Sequence, residues 1–169
     1  MKINYWHILL LFLGLGLTTA CEKDDPEIQN TATYPVSGEW WVTYQVRNPE
    51  GQLEDVGGGY YPLLTYNTAS NRPDSIWVSD ANSFWEYQVK AGLDLPNRAF
   101  AINEGQNVAY DSKVRIANGK VLMGQGRSTS GVVTDSLYLE VAFDDDEEPY
   151  GTTYIVSGHR RTGFLEDEH

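Results

Sequence analysis

From Val36 onward apolar residues recur at alternate positions, and no stretch sustains the 3.6-residue period of an amphipathic helix. That pattern commits the chain to paired strands with one face buried. "EWWVTYQVR" (Glu39–Arg47) sets Trp40, Val42, Tyr44 and Val46 on one face and Trp41, Thr43, Gln45 and Arg47 on the other. "NPEG" (Asn48–Gly51) reads as a turn. "YYPLLTYNT" (Tyr60–Thr68) is strand-like, with Pro62 demanding an edge or a bulge. "DSIWVSD" (Asp74–Asp80) is a short strand, and "SFWEYQVKA" (Ser83–Ala91) follows it within hairpin distance. In "KVRIANGKVLMG" (Lys113–Gly124), Asn118-Gly119 suits a two-residue hairpin turn, because both residues tolerate positive φ. "TDSLYLEVAF" (Thr134–Phe143) points Leu137, Leu139 and Val141 inward, and "GTTYIVSGHR" (Gly151–Arg160) supplies a last strand. About eight strands in short sequential hairpins form an all-β antiparallel meander, which closes into a barrel or packs as a sandwich. A closed barrel of about eight strands is just wide enough for one small ligand.

Aromatic residues carry the next constraint. Trp40, Trp41, Trp77 and Trp85 and a set of tyrosines fall within the expected strands. Most such residues fill cores and cross-strand pairs. Alternation, however, sends Trp40 and Trp41 to opposite faces, so one of them is exposed or packed beneath a loop. Aromatic-lined apolar cavities hold small ligands, and an exposed tryptophan stacks on a sugar. Trp40, Tyr44, Trp77 and Trp85 are the candidates for lining or capping a cavity.

The N-terminal region reads differently. Met1–Tyr5 carries one positive side chain, Lys2, and Ile8–Leu17 is an uncharged ten-residue apolar run. A membrane-spanning helix needs about 20 apolar residues, whereas ten match the core of a signal peptide. Small residues Thr18, Thr19 and Ala20 then precede Cys21, the only cysteine. The pattern is that of a bacterial lipoprotein signal, in which the cysteine becomes the acylated N-terminus. Leu17 sits one place further from Cys21 than the usual leucine, and Thr18 stands where that leucine would be. The other reading is an ordinary secretory signal cut near Ala20. Lys23, Asp24 and Asp25 resemble the lysine-plus-two-acids signal that sends Bacteroidota lipoproteins to the cell surface. Residues 1–20 are thus expected to be a leader, 21–35 a lipidated cysteine with a polar tether, and 36–169 a single domain. The expected place is the outer membrane, attached by lipid and facing outward.

Without residues 1–20 the chain retains eleven Lys plus Arg against 24 Asp plus Glu, a net charge of −13. That surface repels nucleic acid and anionic headgroups, so membrane association should come from the lipid on Cys21. With one cysteine there is neither an internal disulfide nor a cysteine zinc cluster. Nucleophilic catalysis needs a base, and His159 is the one candidate for a triad. No Gly-x-Ser-x-Gly elbow is present, and "GQGRSTSG" (Gly124–Gly131) reads as a polar loop. The acidic run Asp144–Glu148 fails the calcium-loop pattern, with Pro149 at its sixth position and Ile155 at its twelfth. Glu39, Asp80, Glu86, Asp135 and Glu140 are available for a glycosidase pair, which their separations would decide. No catalytic residue, metal or cofactor is assigned.

"VSGEWWVTY" (Val36–Tyr44), "LTYNTAS" (Leu64–Ser70), "IWVSD" (Ile76–Asp80) and "GHRRTGF" (Gly158–Phe164) together resemble the Bacteroidota lipoprotein family labelled lipid-binding putative hydrolase. The resemblance covers about residues 36–165 and implies a calycin-type, lipocalin-like β-barrel. It carries no catalytic motif to transfer. The resulting expectation is an outer-membrane lipoprotein whose barrel binds a lipid or another small apolar ligand. The alternatives are a hydrolase of an ester or glycan and an interaction module of a surface nutrient-uptake complex.

Overall fold

The computed structural model describes residues 27–169. The expected leader (residues 1–20), Cys21 and the Lys23-Asp24-Asp25 run lie outside the described residues. Eight antiparallel strands follow one another around a closed barrel: β1 (Gly38–Arg47), β2 (Leu53–Asn67), β3 (Ser75–Ser79), β4 (Gln88–Asp94), β5 (Ala99–Gln106), β6 (Lys113–Arg127), β7 (Val133–Phe143) and β8 (Tyr154–Arg160). β8 closes the ring against β1, with Trp41 opposite His159 and Tyr44 opposite Val156. Closure leaves no free sheet edge along the ring. Among the described residues no helix is long and apolar enough to cross a membrane.

The alternation in β1 is realised: Trp40, Val42 and Tyr44 are buried in the interior, joined by Leu137, Leu139 and Val141 from β7. Two strands are longer than their sequence suggests, each because a bulge bends it without ending it. In β2, Val42 faces Tyr61 while Tyr44 faces Val56, so β2 carries three extra residues there. Gly57, Gly58 and Gly59 all have positive φ at this point, a conformation that favours glycine. Pro62 lies beside that bulge, opposite Trp41. In β6 the Asn118-Gly119 pair does not make the expected hairpin turn. Asn118 does take φ 55°, but the register slips by one residue between Ala117 and Lys120, and the strand runs on to Arg127. The dipeptide supplies a bulge because apolar Val121 resumes the inward alternation directly after it.

The alternating direction of the strands divides the loops between two ends. The β2–β3, β4–β5 and β6–β7 loops lie at one end together with the chain leading into β1 and the segment after β8. We call this the tail end. The other four loops make the opposite end. Trp40 closes the tail end from inside: its indole N–H donates to Thr65 Oγ1 (2.9 Å), and the Arg160 guanidinium lies over its ring at 4.4 Å. Arg160 is itself fixed by Asp135 (2.9 Å) and the Ser37 carbonyl (2.7 Å).

Candidate functional site

At the end opposite the tail, residues 80–87 cross the barrel mouth. Sequence alternation suggests a strand from Ser83, but β4 starts only at Gln88. The reason is Asp80, which is fully buried and takes the backbone N–H groups that a ladder would use. Its Oδ1 accepts from Asn82 (3.0 Å) and Tyr87 (3.0 Å), and its Oδ2 from Phe84 (3.1 Å) and Trp85 (2.8 Å). Asn107 clamps the far flank, accepting from the Gln88 N–H and donating to the Glu86 carbonyl. Ala81, Asn82 and Glu86 all sit at positive φ, a costly arrangement for three non-glycine residues.

The loop thereby aims two aromatic rings into the mouth. Phe84 stacks on Tyr44 at 3.7 Å between ring centroids, and Trp85 stacks on Phe143 at 4.8 Å. Tyr61 and Tyr154 pack edge-on around Phe84. Beneath them the Tyr44 and Tyr87 hydroxyls are hydrogen-bonded at 3.3 Å. Burial pushes both hydroxyls well above their ordinary range; Tyr87 and Asp80 raise Tyr44 further, whereas for Tyr87 the hydrogen bond to Tyr44 acts downward and Asp80 upward, and both stay protonated. The mouth is lined by aromatic rings, with the buried Asp80 carboxylate satisfied by backbone N–H groups, and Phe84 and Trp85 remain half-buried. Its rim is acidic. Asp145 accepts from the Trp85 indole N–H (3.2 Å) and from the Tyr110 hydroxyl, Asp144 from the Lys113 N–H (2.7 Å), and Asp146 from the Tyr154 hydroxyl (3.4 Å). The Asp144–Glu148 run thus clasps the rim and the lid instead of converging on one point.

Three of the four aromatic candidates belong to the barrel interior or its mouth, at different depths. Trp40 lies at the tail end, Tyr44 at the centre, and Trp85 in the lid. Trp77 does not join them. It faces outward between Tyr66 and Lys90, because Ile76 and Val78 take the inward positions of β3. Phe84 and Asp80 are what the sequence reading missed as parts of this mouth. An Asp two residues before an Asn, breaking the alternation, was the available signal for such a turn.

Trp41 lies on the outer face of β1 and is nevertheless buried, beneath the segment after β8. Its ring meets that of His169 edge-on at 5.4 Å, and Tyr60 stacks on His169 at 4.2 Å. His159 lies under the same cover, and its Nε2 has no hydrogen-bond partner. Burial, and secondarily the charge of His169, lowers its pKa below the usual histidine value. The relay that a hydrolase needs is not formed here. The facing Ser136 hydroxyl donates to the Gly158 carbonyl, and Asp167 accepts from Ser130 and Thr162. Four of the five acids considered for a glycosidase pair are engaged separately: Asp80 in the lid, Asp135 with Arg160, Glu39 with Arg161, and Glu140 with Tyr138; the fifth, Glu86, is exposed on the lid.

An open groove of about 560 Å³ lies on the β4–β6 wall, formed where Gly92, Ala99, Ala101 and Gly119 leave little side-chain bulk. Leu93 and Phe100 also line it, with Asp74 and Asp94 beside them, but the groove is open to solvent along its length and encloses a ligand poorly.

Residues 25–165 match the model of a family described as "Lipid-binding putative hydrolase". No curated protein matches the chain.

Proposed function

Because this chain belongs to the lipid-binding putative hydrolase family, we propose that its barrel takes up a lipid acyl chain, or a ligand of similar apolar character, through the mouth covered by residues 80–87. The observation that carries the reading is the lid. Two aromatic rings occupy the mouth, yet they are half-buried and belong to a loop organised chiefly by the Asp80 carboxylate, with Asn107 and Asp145 at its flanks, instead of by a strand ladder. An acyl chain entering there takes the place of Phe84 and Trp85 against Tyr44, Tyr87 and Phe143. Exposing two half-buried aromatics and breaking two stacked pairs costs about 4–6 kcal/mol. Each buried methylene returns about 0.8 kcal/mol, so roughly ten methylenes more than offset the displacement. A chain of fewer than about five does not, which makes chain length the basis of selection. The ligand's headgroup remains at the rim, where the acids favour a neutral or cationic group over an anionic one.

We place the protein in the outer membrane, attached through acylated Cys21 and facing outward. The apolar run before that cysteine and the Lys23-Asp24-Asp25 run after it support this. Native mass spectrometry of residues 22–169, followed by solvent extraction of co-purified material, tests the binding reading. A bound mass that extracts as a lipid supports it. A clean apo mass, with no thermal-shift response to fatty acids or phospholipids, refutes it.

A further inference from the structure

The two ends of the barrel differ in a way that ligand binding does not require. Most of the large apolar side chains left exposed lie at the tail end: Tyr34, Met123, Val132, Val133, Phe164 and Leu165, with Val133 58%, Phe164 51% and Leu165 90% exposed. They are brought together by fixed contacts. Asp167 accepts from the Ser130 N–H (2.7 Å), which ties the segment bearing Phe164 and Leu165 to the β6–β7 turn beside Val132 and Val133. Tyr34 and Met123 line one depression of about 240 Å³ with Arg160. Three arginines at this end are in ion pairs, Arg72 with Asp74, Arg160 with Asp135, and Arg161 with Glu39 and Glu168, whereas Asp94, Arg98, Arg127 and Glu166 are in none among the described residues. The lid end carries instead the Asp144–Glu148 run with Asp111, Glu50 and Glu54, and among the described residues its one ion pair is Lys113–Glu104.

The preceding chain joins at the tail end too. The Ala32 N–H donates to Asn71 Oδ1 in the β2–β3 loop (2.9 Å). Residues 21–33 span at most about 45 Å when fully extended, and the tail end is the face from which anything fixed to Cys21 is tethered.

We propose that the tail end is a docking surface for a lipid bilayer, with Val132, Val133, Phe164 and Leu165 at the headgroup boundary and the lid end directed into water. The proposal rests on the lipid-anchored reading of Cys21. Exposed apolar side chains gain from entering the interface. Matched ion pairs tolerate it, whereas the unpaired acids of the lid end are repelled by anionic headgroups and stay hydrated. One consequence concerns exchange: the ligand mouth faces away from the anchoring membrane, so ligand arrives from, and leaves towards, the aqueous side.

The test couples residues 21–169 through Cys21 to a maleimide-headgroup lipid in phosphatidylcholine vesicles, then follows hydrogen exchange by mass spectrometry. Coupling replaces cellular acylation, so the result is independent of whether Cys21 is acylated in the cell. Lysophosphatidylcholine binding at the lid end is scored separately, so its failure is distinguishable as well. Peptides covering 128–133 and 162–169 should exchange several-fold more slowly on vesicles than in solution, and those covering 144–153 should not change. The double variant Val133→Asp, Leu165→Asp should lose that protection while melting at the same temperature, since both side chains are exposed. Unchanged exchange at the tail end, or protection at the lid end, would overturn the proposal. Equal tail-end protection in solution without vesicles would overturn it in favour of a second copy of this chain as the occupant.

Discussion

Asp80→Asn is the substitution whose effect the structure defines most closely. Asp80 is buried and its two carboxylate oxygens accept four backbone N–H groups, two each. Asparagine retains one oxygen and two of these bonds. Its amide nitrogen must face the other two N–H groups, donor against donor. Hydrogen bonds to a charged group contribute about 1.5–3 kcal/mol each, so the loss of two amounts to about 3–6 kcal/mol before the loop relaxes. Allowing for relaxation and water access, we expect about 3 kcal/mol. In a domain of this size that lowers the melting temperature by about 10 °C. The damage should be concentrated in the lid. Amide exchange at Phe84, Trp85 and Tyr87 should accelerate far more than at Leu137 or Val141. Calorimetry and residue-resolved hydrogen exchange measure the two quantities. Glu166→Gln, on an exposed acid at the opposite end of the barrel, serves as control and should shift stability by less than about 0.5 kcal/mol. An Asp80→Asn protein with unchanged melting and unchanged lid exchange would refute the view that this carboxylate organises the mouth.

Three other outcomes are expected. Arg160→Ala removes the cation–π contact with Trp40, the Asp135 ion pair and the Ser37 bond, and should cost about 2–4 kcal/mol in denaturant unfolding. Arg160→Lys should recover less than half, because an ammonium cannot stack flat and donate in two directions at once. Gly158→Ala puts a Cβ 1.9 Å from the Trp41 carbonyl oxygen and should weaken β1–β8 closure by more than about 3 kcal/mol, read by thermal melting. Burial acts to raise the Asp167 carboxyl, but the Ser130 N–H and the hydroxyls of Thr162, Ser128 and Ser130 outweigh it and hold the group at about 2, against 3.8 ordinarily. A depressed carboxylate stabilises above its unfolded pKa, so the contribution is intact above about pH 4 and disappears as pH falls towards 2. The segment 162–169 should therefore gain hydrogen exchange over that window, relative to the β7 core, after correction for intrinsic exchange.

Much of the barrel was legible because β1 and β7 alternate, and a period-2 pattern leaves a side chain only two faces to choose from. The same logic required Trp41 to be exposed or covered, and the structure covers it with His169. What was not legible depends on partners distant in sequence. Arg160 reaches Trp40 across 120 positions because ring closure makes β8 the neighbour of β1. Asn118-Gly119 reads locally as a turn, and only the facing residues of β7 convert it to a bulge. Trp77 looks like a cavity residue by type, but its neighbours Ile76 and Val78 claim the interior. For the mouth, the sequence offered Tyr44 and Trp85. It could not show that Asp80 withdraws the amides of 82–87 from the sheet and turns that stretch into a lid.

The central claim is that an acyl chain enters where Phe84 and Trp85 now sit. Nuclear magnetic resonance mapping of residues 22–169 titrated with lysophosphatidylcholine, a single-chain lipid of net neutral headgroup, tests it directly. The account predicts saturable shifts at the Phe84, Trp85 and Tyr87 amides and at the methyl groups of Val78, Val89 and Val141, with none at Val133 or Leu165 at low lipid. Shifts confined to the tail end or the β4–β6 groove, or no shifts at all, would contradict it.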